Sequence, residues 1–222
     1  MMSDSNAVSL YDILFESLPK GFSVYELENE LQKNLESGVS YAKKFFRESK
    51  TFTKGTSRAV FILDSKKALK IAKNEAGLAQ NKEEVKISKK FPLVVAKIFR
   101  TGTNNMYLVS ELVRELTDYK ELTNYFGFDI FGDLYNIIED FISQKDKQIS
   151  YARISKNKLA MQLLDMLRSG TDSGDVLRVD HWGKTTDGRY VLLDYGANKD
   201  IIKKYYQNNN MGSVSNGSYE SF

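Results

Sequence analysis

One lysine, Lys70, interrupts the otherwise apolar run Ala68-Leu69-Lys70-Ile71-Ala72. An ammonium set in such a run needs an anion, because burying it unpaired is costly. A carboxylate in a comparable setting is Asp194, which follows Tyr190-Val191-Leu192-Leu193 and precedes Tyr195-Gly196. Glycine lets the chain turn sharply there, and an aspartate after a buried strand is also a common helix cap or turn former. A third group lies in Gly174-Asp175-Val176-Leu177-Arg178-Val179-Asp180-His181-Trp182-Gly183, where two carboxylates stand five residues apart. Carboxylates accept protons and ligate hard cations such as magnesium through oxygen, which a soft imidazole does poorly.

Other chemistries are closed to this chain. It has no cysteine, hence no disulfide framework, thiolate zinc site or cysteine nucleophile, and a cytoplasmic setting is expected. Its one histidine, His181, excludes multi-histidine metal sites. The net charge of +3 arises from 32 basic and 29 acidic residues spread along the length, too balanced for a dedicated nucleic-acid surface. A nucleic-acid accessory role would instead show itself as steeply salt-dependent binding. No stretch approaches the ~20 apolar residues that span a bilayer, and Met1 to Asn6 is polar, so no membrane partner is expected. At 222 residues and 41% hydrophobic content, the chain can bury a core as one domain or as two small lobes.

The elements that must position these groups read as α+β. Residues 1–50 form a helical prefix, with Ser23 and Glu26 placed as a capping box ahead of Leu27, Leu31 and Leu35. Ala59 to Leu63 and Ala68 to Ala72 read as a hairpin around Asp64-Ser65, and Glu75 to Lys90 as a helix stopped by Pro92. Strands Val94 to Phe99 and Met106 to Ser110 follow, then helices at Phe131 to Ser143 and Ile154 to Leu167. A last hairpin, Lys184 to Thr186 with Arg189 to Leu193, turns at Asp187-Gly188. The texture changes near Glu111, which divides a strand-rich lobe (51–110) from a helix-rich one (111–206), with a polar tail at 207–222.

The order of these signals resembles the protein kinases and the related aminoglycoside phosphotransferases, over roughly Phe52 to Lys204. Asp194-Tyr195-Gly196 resembles the metal-binding Asp-Phe-Gly turn, with tyrosine in the middle position. The resemblance implies a two-lobed kinase-like fold with a small antiparallel-sheet N-lobe, a reduced helical C-lobe and an N-terminal helical extension. It implies ATP and Mg2+ as ligands, with Lys70 on the first two phosphates and paired to a glutamate of the next helix. Glu84 is preferred for that pairing and Glu83 is the fallback; both could also be solvated. Lys70-Ile71-Ala72-Lys73-Asn74, Ala79-Gln80-Asn81 and Asp180-His181-Trp182-Gly183 resemble small phage-encoded kinase-like proteins, whose setting would be host cytoplasm or virion.

The phosphate loop of that family falls on Thr53-Lys54-Gly55-Thr56-Ser57-Arg58, where only one glycine remains. The backbone N–H groups of Gly55, Thr56 and Ser57, with charge from Lys54 or Arg58, could meet phosphate oxygens; a plain hairpin turn explains the segment too. Ser110, Glu111, Leu112 and Val113 fall where the hinge backbone meets adenine. Asp175 corresponds to the catalytic base, and Asp180 would replace the family's magnesium-binding asparagine, which is absent. Asp180 lies fourteen and His181 thirteen residues before Asp194, so either of them aligns only with a gap. Arg178 could hold a phosphate or brace Asp194. Only 28 residues follow Asp194, so the usual peptide-docking platform is not expected. The acceptor is then a small molecule, the protein itself, or a protein docked on the N-terminal helices. The competing expectation is a pseudokinase-like binding module, a phage or virion component whose catalysis is lost.

Overall fold

The computed structural model describes residues 18–48 and 57–207. The start of the helical prefix, Lys54, Gly55, Thr56 and the tail beyond Gln207 lie outside the described residues. Among the described residues the chain is α+β and divides into two compact units. One comprises residues up to 81 with 96–114 and 185–189, the other 82–95, 115–184 and from 190 on. The division is therefore not the single cut at Glu111 that the change of texture suggests.

In the first unit, helix α1 (Val24–Lys33) starts where the Ser23 hydroxyl accepts the Glu26 N–H at 3.3 Å, satisfying one of the donors a helix start leaves open. Asn34 then takes an extended backbone and caps helix α2 (Leu35–Lys43), its side chain accepting the Ser37 N–H at 2.7 Å. The prefix is thus broken between Leu31 and Leu35, because asparagine bonds more readily to nearby backbone than it continues a helix.

Four antiparallel strands follow: β1 (Arg58–Ile62), β2 (Lys67–Ala72), β3 (Ile98–Thr101) and β4 (Tyr107–Glu111), in sheet order β1-β2-β4-β3. The β3–β4 turn places Asn104 and Asn105 at φ 53° and 58°, a left-handed conformation that asparagine tolerates. Successive strand residues point to opposite faces. Ala59, Phe61, Leu69, Ile71, Tyr107 and Val109 form one buried cluster with Leu27, Leu31, Val39 and Phe46 of the prefix. The tyrosine hydroxyl of Tyr107 donates to Glu28 at 2.8 Å, and burial together with that bond pushes its pKa up.

Helix α3 (Glu75–Lys90) begins in the first unit and continues in the second from Lys82. Its first turns sit close to the sheet. The Ser57 hydroxyl donates to Gln80 Oε1 at 2.7 Å, and Lys73 N–H donates to the Ser57 carbonyl at 2.8 Å. A Cβ on Gly77 would lie 2.2 Å from that carbonyl oxygen.

The second unit holds helices α4 (Lys120–Phe126), α5 (Ile130–Ile138), α6 (Gln144–Ile154), α7 (Lys158–Arg168), α8 (Ser173–Val176) and α9 (Lys199–Ile202). The expected helix 131–143 ends at Ile138, where Glu139 takes an extended backbone. The expected helix 154–167 is two: Ser155 and Lys156 turn the chain, and Asn157 caps α7 by accepting from the N–H groups of Leu159 and Ala160. Strands β5 (Arg114–Glu115), β6 (Trp182–Lys184) and β7 (Tyr190–Leu192) form a three-stranded sheet. The core gathers Ile87, Val95, Phe126, Leu134, Leu163, Trp182, Leu192 and Tyr195. Val95, expected in a strand with Phe99, instead makes a lone parallel bridge to Leu192. Among the described residues no helix is long and apolar enough to cross a membrane.

Candidate functional site

The sheet face that turns away from α1 and α2 carries the basic residues of interest. The register sets Lys70 opposite Val60 and Leu108, Ala68 opposite Ile62 and Ser110, and Arg58 opposite Ala72. Arg58, Val60, Ala68, Lys70, Ala72, Leu108 and Ser110 are all buried, Lys70 at 8% and Arg58 at 7% exposure. One guanidinium and one ammonium group thus share one face with apolar neighbours. The sequence pointed to Lys70 and Arg58 but missed Val60, Ala68 and Leu108; strand alternation on either side of Lys70 is the signal that would have found them.

Glu84, on α3, is fully buried, whereas its neighbour Glu83 pairs with exposed Lys86 at 3.1 Å. The expectation that both could be solvated is wrong for Glu84, which lies on the inner side of the helix. Asn81, one turn before it, is also fully buried and donates to the Asn105 carbonyl at 2.8 Å.

The proposed adenine edge, Ser110 to Val113, is largely engaged within the protein. Glu111 N–H donates to the Lys97 carbonyl at 2.8 Å and Leu112 N–H to the Lys66 carbonyl at 2.7 Å. The Glu111 carboxylate accepts Arg189 Nη2 at 2.7 and 2.8 Å, and the Lys97 N–H at 3.2 Å. Arg189 is held in turn by Asp187 at 3.1 Å. The Thr185 hydroxyl and Arg189 together lower the Asp187 carboxyl to about 2. Glu111 is therefore an ion-pair anchor, a role invisible from its position in the sequence because its partner is 78 residues away. The Ser110 hydroxyl is buried with no hydrogen-bond partner.

In the second unit, Asp175, Arg178, Asp180, His181 and Asp194 form a single electrostatic cluster. Short α8 carries Asp175, and a turn at 179–181 carries Asp180 and His181 into β6. Trp182, fully buried, donates its indole N–H to the Val176 carbonyl at 2.8 Å, closing the loop on itself. The His181 carbonyl accepts the Leu193 N–H at 2.8 Å, which ties this turn to the residue before Asp194. The Arg178 guanidinium forks onto Asp180, Nε to Oδ1 at 3.1 Å and Nη2 to Oδ2 at 2.7 Å. That fork holds the Asp180 carboxyl below its usual range. The same fork raises the Arg178 pKa, and the charges of Asp175 and Asp194 act in the same direction.

His181 Nδ1 stands 3.3 Å from Asp175 Oδ1. Burial, the largest influence, keeps the imidazole pKa below its ordinary value against the pull of the Asp194 and Asp180 charges. Of the two residues that the sequence left open for the second metal position, Asp180 has both carboxylate oxygens on Arg178. Among the described residues no group of three or more His, Asp or Glu side chains is placed to hold a metal ion. Magnesium is commonly held by one or two carboxylates, with phosphate oxygens and water supplying the rest. Asp194 has the donor chemistry for that arrangement, so the residues present fit a metal that arrives with a phosphate ligand and not a dedicated metal cage.

Compared with models of known protein families and with curated proteins, the chain matches none.

Proposed function

We propose that this protein binds a nucleoside triphosphate with magnesium, in the manner of a kinase-like phosphotransferase. Lys70 meets the phosphates, with Glu84 as its counter-ion, and Asp194 holds the metal. Asp175 lies on the acceptor side, and the acceptor is a small molecule or protein. The observation that carries this reading is the buried face of the small sheet. Lys70 and Arg58 share that face with the neutral side chains of Val60, Ala68 and Leu108, and a pairing of positive charge with apolar neighbours suits a polyphosphate attached to a planar base.

A second reading, a catalytically silent pseudokinase-like module, draws support from one specific feature. Arg178 occupies both oxygens of Asp180, the carboxylate that would otherwise replace the missing asparagine.

Thermal melting with ATP, with and without magnesium, tests the first step. The original chain is expected to melt higher with Mg–ATP, by ~2.7 kcal/mol at a hundredfold excess over Kd. Lys70→Ala and Asp194→Asn should lose that gain. No shift in the original chain refutes nucleotide binding. Labelled ATP then separates the two readings: transfer or hydrolysis lost in Asp175→Asn supports the enzyme, and none from the original chain supports the module.

A further inference from the structure

The loop from α8 to β6 is built to hold one histidine against one carboxylate. Trp182 pins the loop to Val176, and His181 is pinned at both its backbone ends, its N–H donating to the Arg178 carbonyl at 3.1 Å and its carbonyl accepting from Leu193. The two side chains are 15% and 17% exposed, with Nδ1 3.3 Å from Asp175 Oδ1. Nδ1 is itself buried and out of line for a hydrogen bond to that oxygen, and the Asp175 backbone carbonyl, an acceptor, also bears on the ring.

A bare imidazole nitrogen facing a carboxylate oxygen at this distance sets lone pair against lone pair, whereas a protonated one attracts it. The other charged groups that bear on the ring are Asp194, Asp180 and Arg178, and none of them offers Nδ1 a hydrogen-bond donor. We infer that Asp175 is a positioning residue that fixes His181 as its Nδ1–H tautomer, so that Nε2 presents the lone pair that accepts a proton at this site. Catalytic side chains within hydrogen-bond reach often sit long or poorly aligned until substrate tightens them. A short rotation of the ring or the carboxylate would bring Nδ1–H into line with Asp175.

The inference rests on the phosphotransfer reading only for the identity of the acceptor. In that reading the acceptor hydroxyl gives its proton to Nε2 as its oxygen bonds the γ-phosphorus of ATP. The bond from that phosphorus to the β–γ bridging oxygen breaks, and its electron pair leaves with ADP. The role of base then passes from Asp175, where the family resemblance puts it, to the imidazole beside it.

His181 is the sole histidine of the chain, so nitrogen-15 NMR of labelled protein reads its tautomer without assignment. At neutral pH and without nucleotide, the Nδ1–H pattern should dominate, and Asp175→Asn should abolish that dominance. An Nε2–H majority in the original chain overturns the inference, whether or not the variant folds. So does a pattern that Asp175→Asn leaves unchanged.

Reaction with diethyl pyrocarbonate reports whether Nε2 is presented. The original chain should be modified at this one histidine, and Asp175→Asn about tenfold or more slowly, as expected when the wrong tautomer is favoured. No reaction of the folded original chain overturns the inference. Adding Mg–ATP to the NMR sample separates this proposal from the function on which it builds. The right tautomer with no response to nucleotide sinks nucleotide binding alone, and a response with the wrong tautomer sinks the dyad alone.

Discussion

Replacing Gly77 with alanine sets two opposite physical effects against each other. By intrinsic preference alone, alanine in a helix is favoured over glycine by ~1 kcal/mol. The structure argues for the opposite sign. The added Cβ would lie 2.2 Å from the Ser57 carbonyl oxygen and 3.1 Å from both Cα and Cβ of Ala72, well inside the ~3.5 Å at which non-bonded atoms come to rest.

The atoms that would have to yield are backbone. The Ser57 carbonyl already accepts the Lys73 N–H, and the Ser57 hydroxyl is bonded to Gln80 on the same helix. Moving α3 outward strains or breaks that buried hydroxyl bond, at ~1 kcal/mol, on top of an overpacking cost of ~1–3 kcal/mol. Set against the propensity gain, the net loss is ~1–3 kcal/mol, a fall in Tm of roughly 3–10 °C for a chain of this size. Denaturant unfolding followed by circular dichroism measures it directly. The displacement would also disturb Ser57 and Arg58 beside Lys70, so under the proposed function the Tm gain expected from Mg–ATP should shrink. A Gly77→Ala protein as stable as the original, or more so, would refute the close approach of α3 to the sheet.

Tyr107→Phe removes the hydroxyl bond to Glu28 and should cost ~1 kcal/mol, read as a lower denaturant midpoint. Because the folded-state pKa of Tyr107 is raised above 10.0, the neutral phenol stabilises the fold fully below pH ~10, and that contribution is lost as pH rises further. The original chain should therefore lose stability more steeply above that pH than the variant; equal slopes would refute the burial of this group. Trp182→Phe leaves the Val176 carbonyl without its indole donor and opens a void in the core, at ~2–4 kcal/mol. Circular dichroism is the proper probe, since Trp182 is the only tryptophan, and a loss under 1 kcal/mol would contradict its burial.

Some of the fold was legible because local rules sufficed. Glu75 to Lys90 is a sixteen-residue helix ended just before Pro92, long enough for periodicity to be unambiguous. The hairpin around Asp64-Ser65 and the burial of Lys70 followed from short apolar runs. Where the reading failed, a side chain made a local bond that periodicity does not register. Asn34 and Asn157 each cap a new helix inside what read as one continuous stretch. The glycine loop expected at Lys54, Gly55 and Thr56 lies outside the described residues.

Composition and pattern by themselves determined the class of the protein. Without cysteine and with one histidine, it has no thiol chemistry and no multi-histidine site, which leaves carboxylates, amines, guanidinium groups and one imidazole, and its strand and helix runs dictate an α+β chain. Only the tertiary structure decided which of those groups matter to one another. Glu84 rather than Glu83 is buried, Glu111 is claimed by Arg189 from 78 residues away, and Asp180 is claimed by Arg178. Only the turn at 179–181 brings His181 back to Asp175. The physical reason is that residue type fixes what a side chain can donate or accept, whereas its charge state and partner depend on desolvation and on distances of a few ångströms, which the folded chain alone sets.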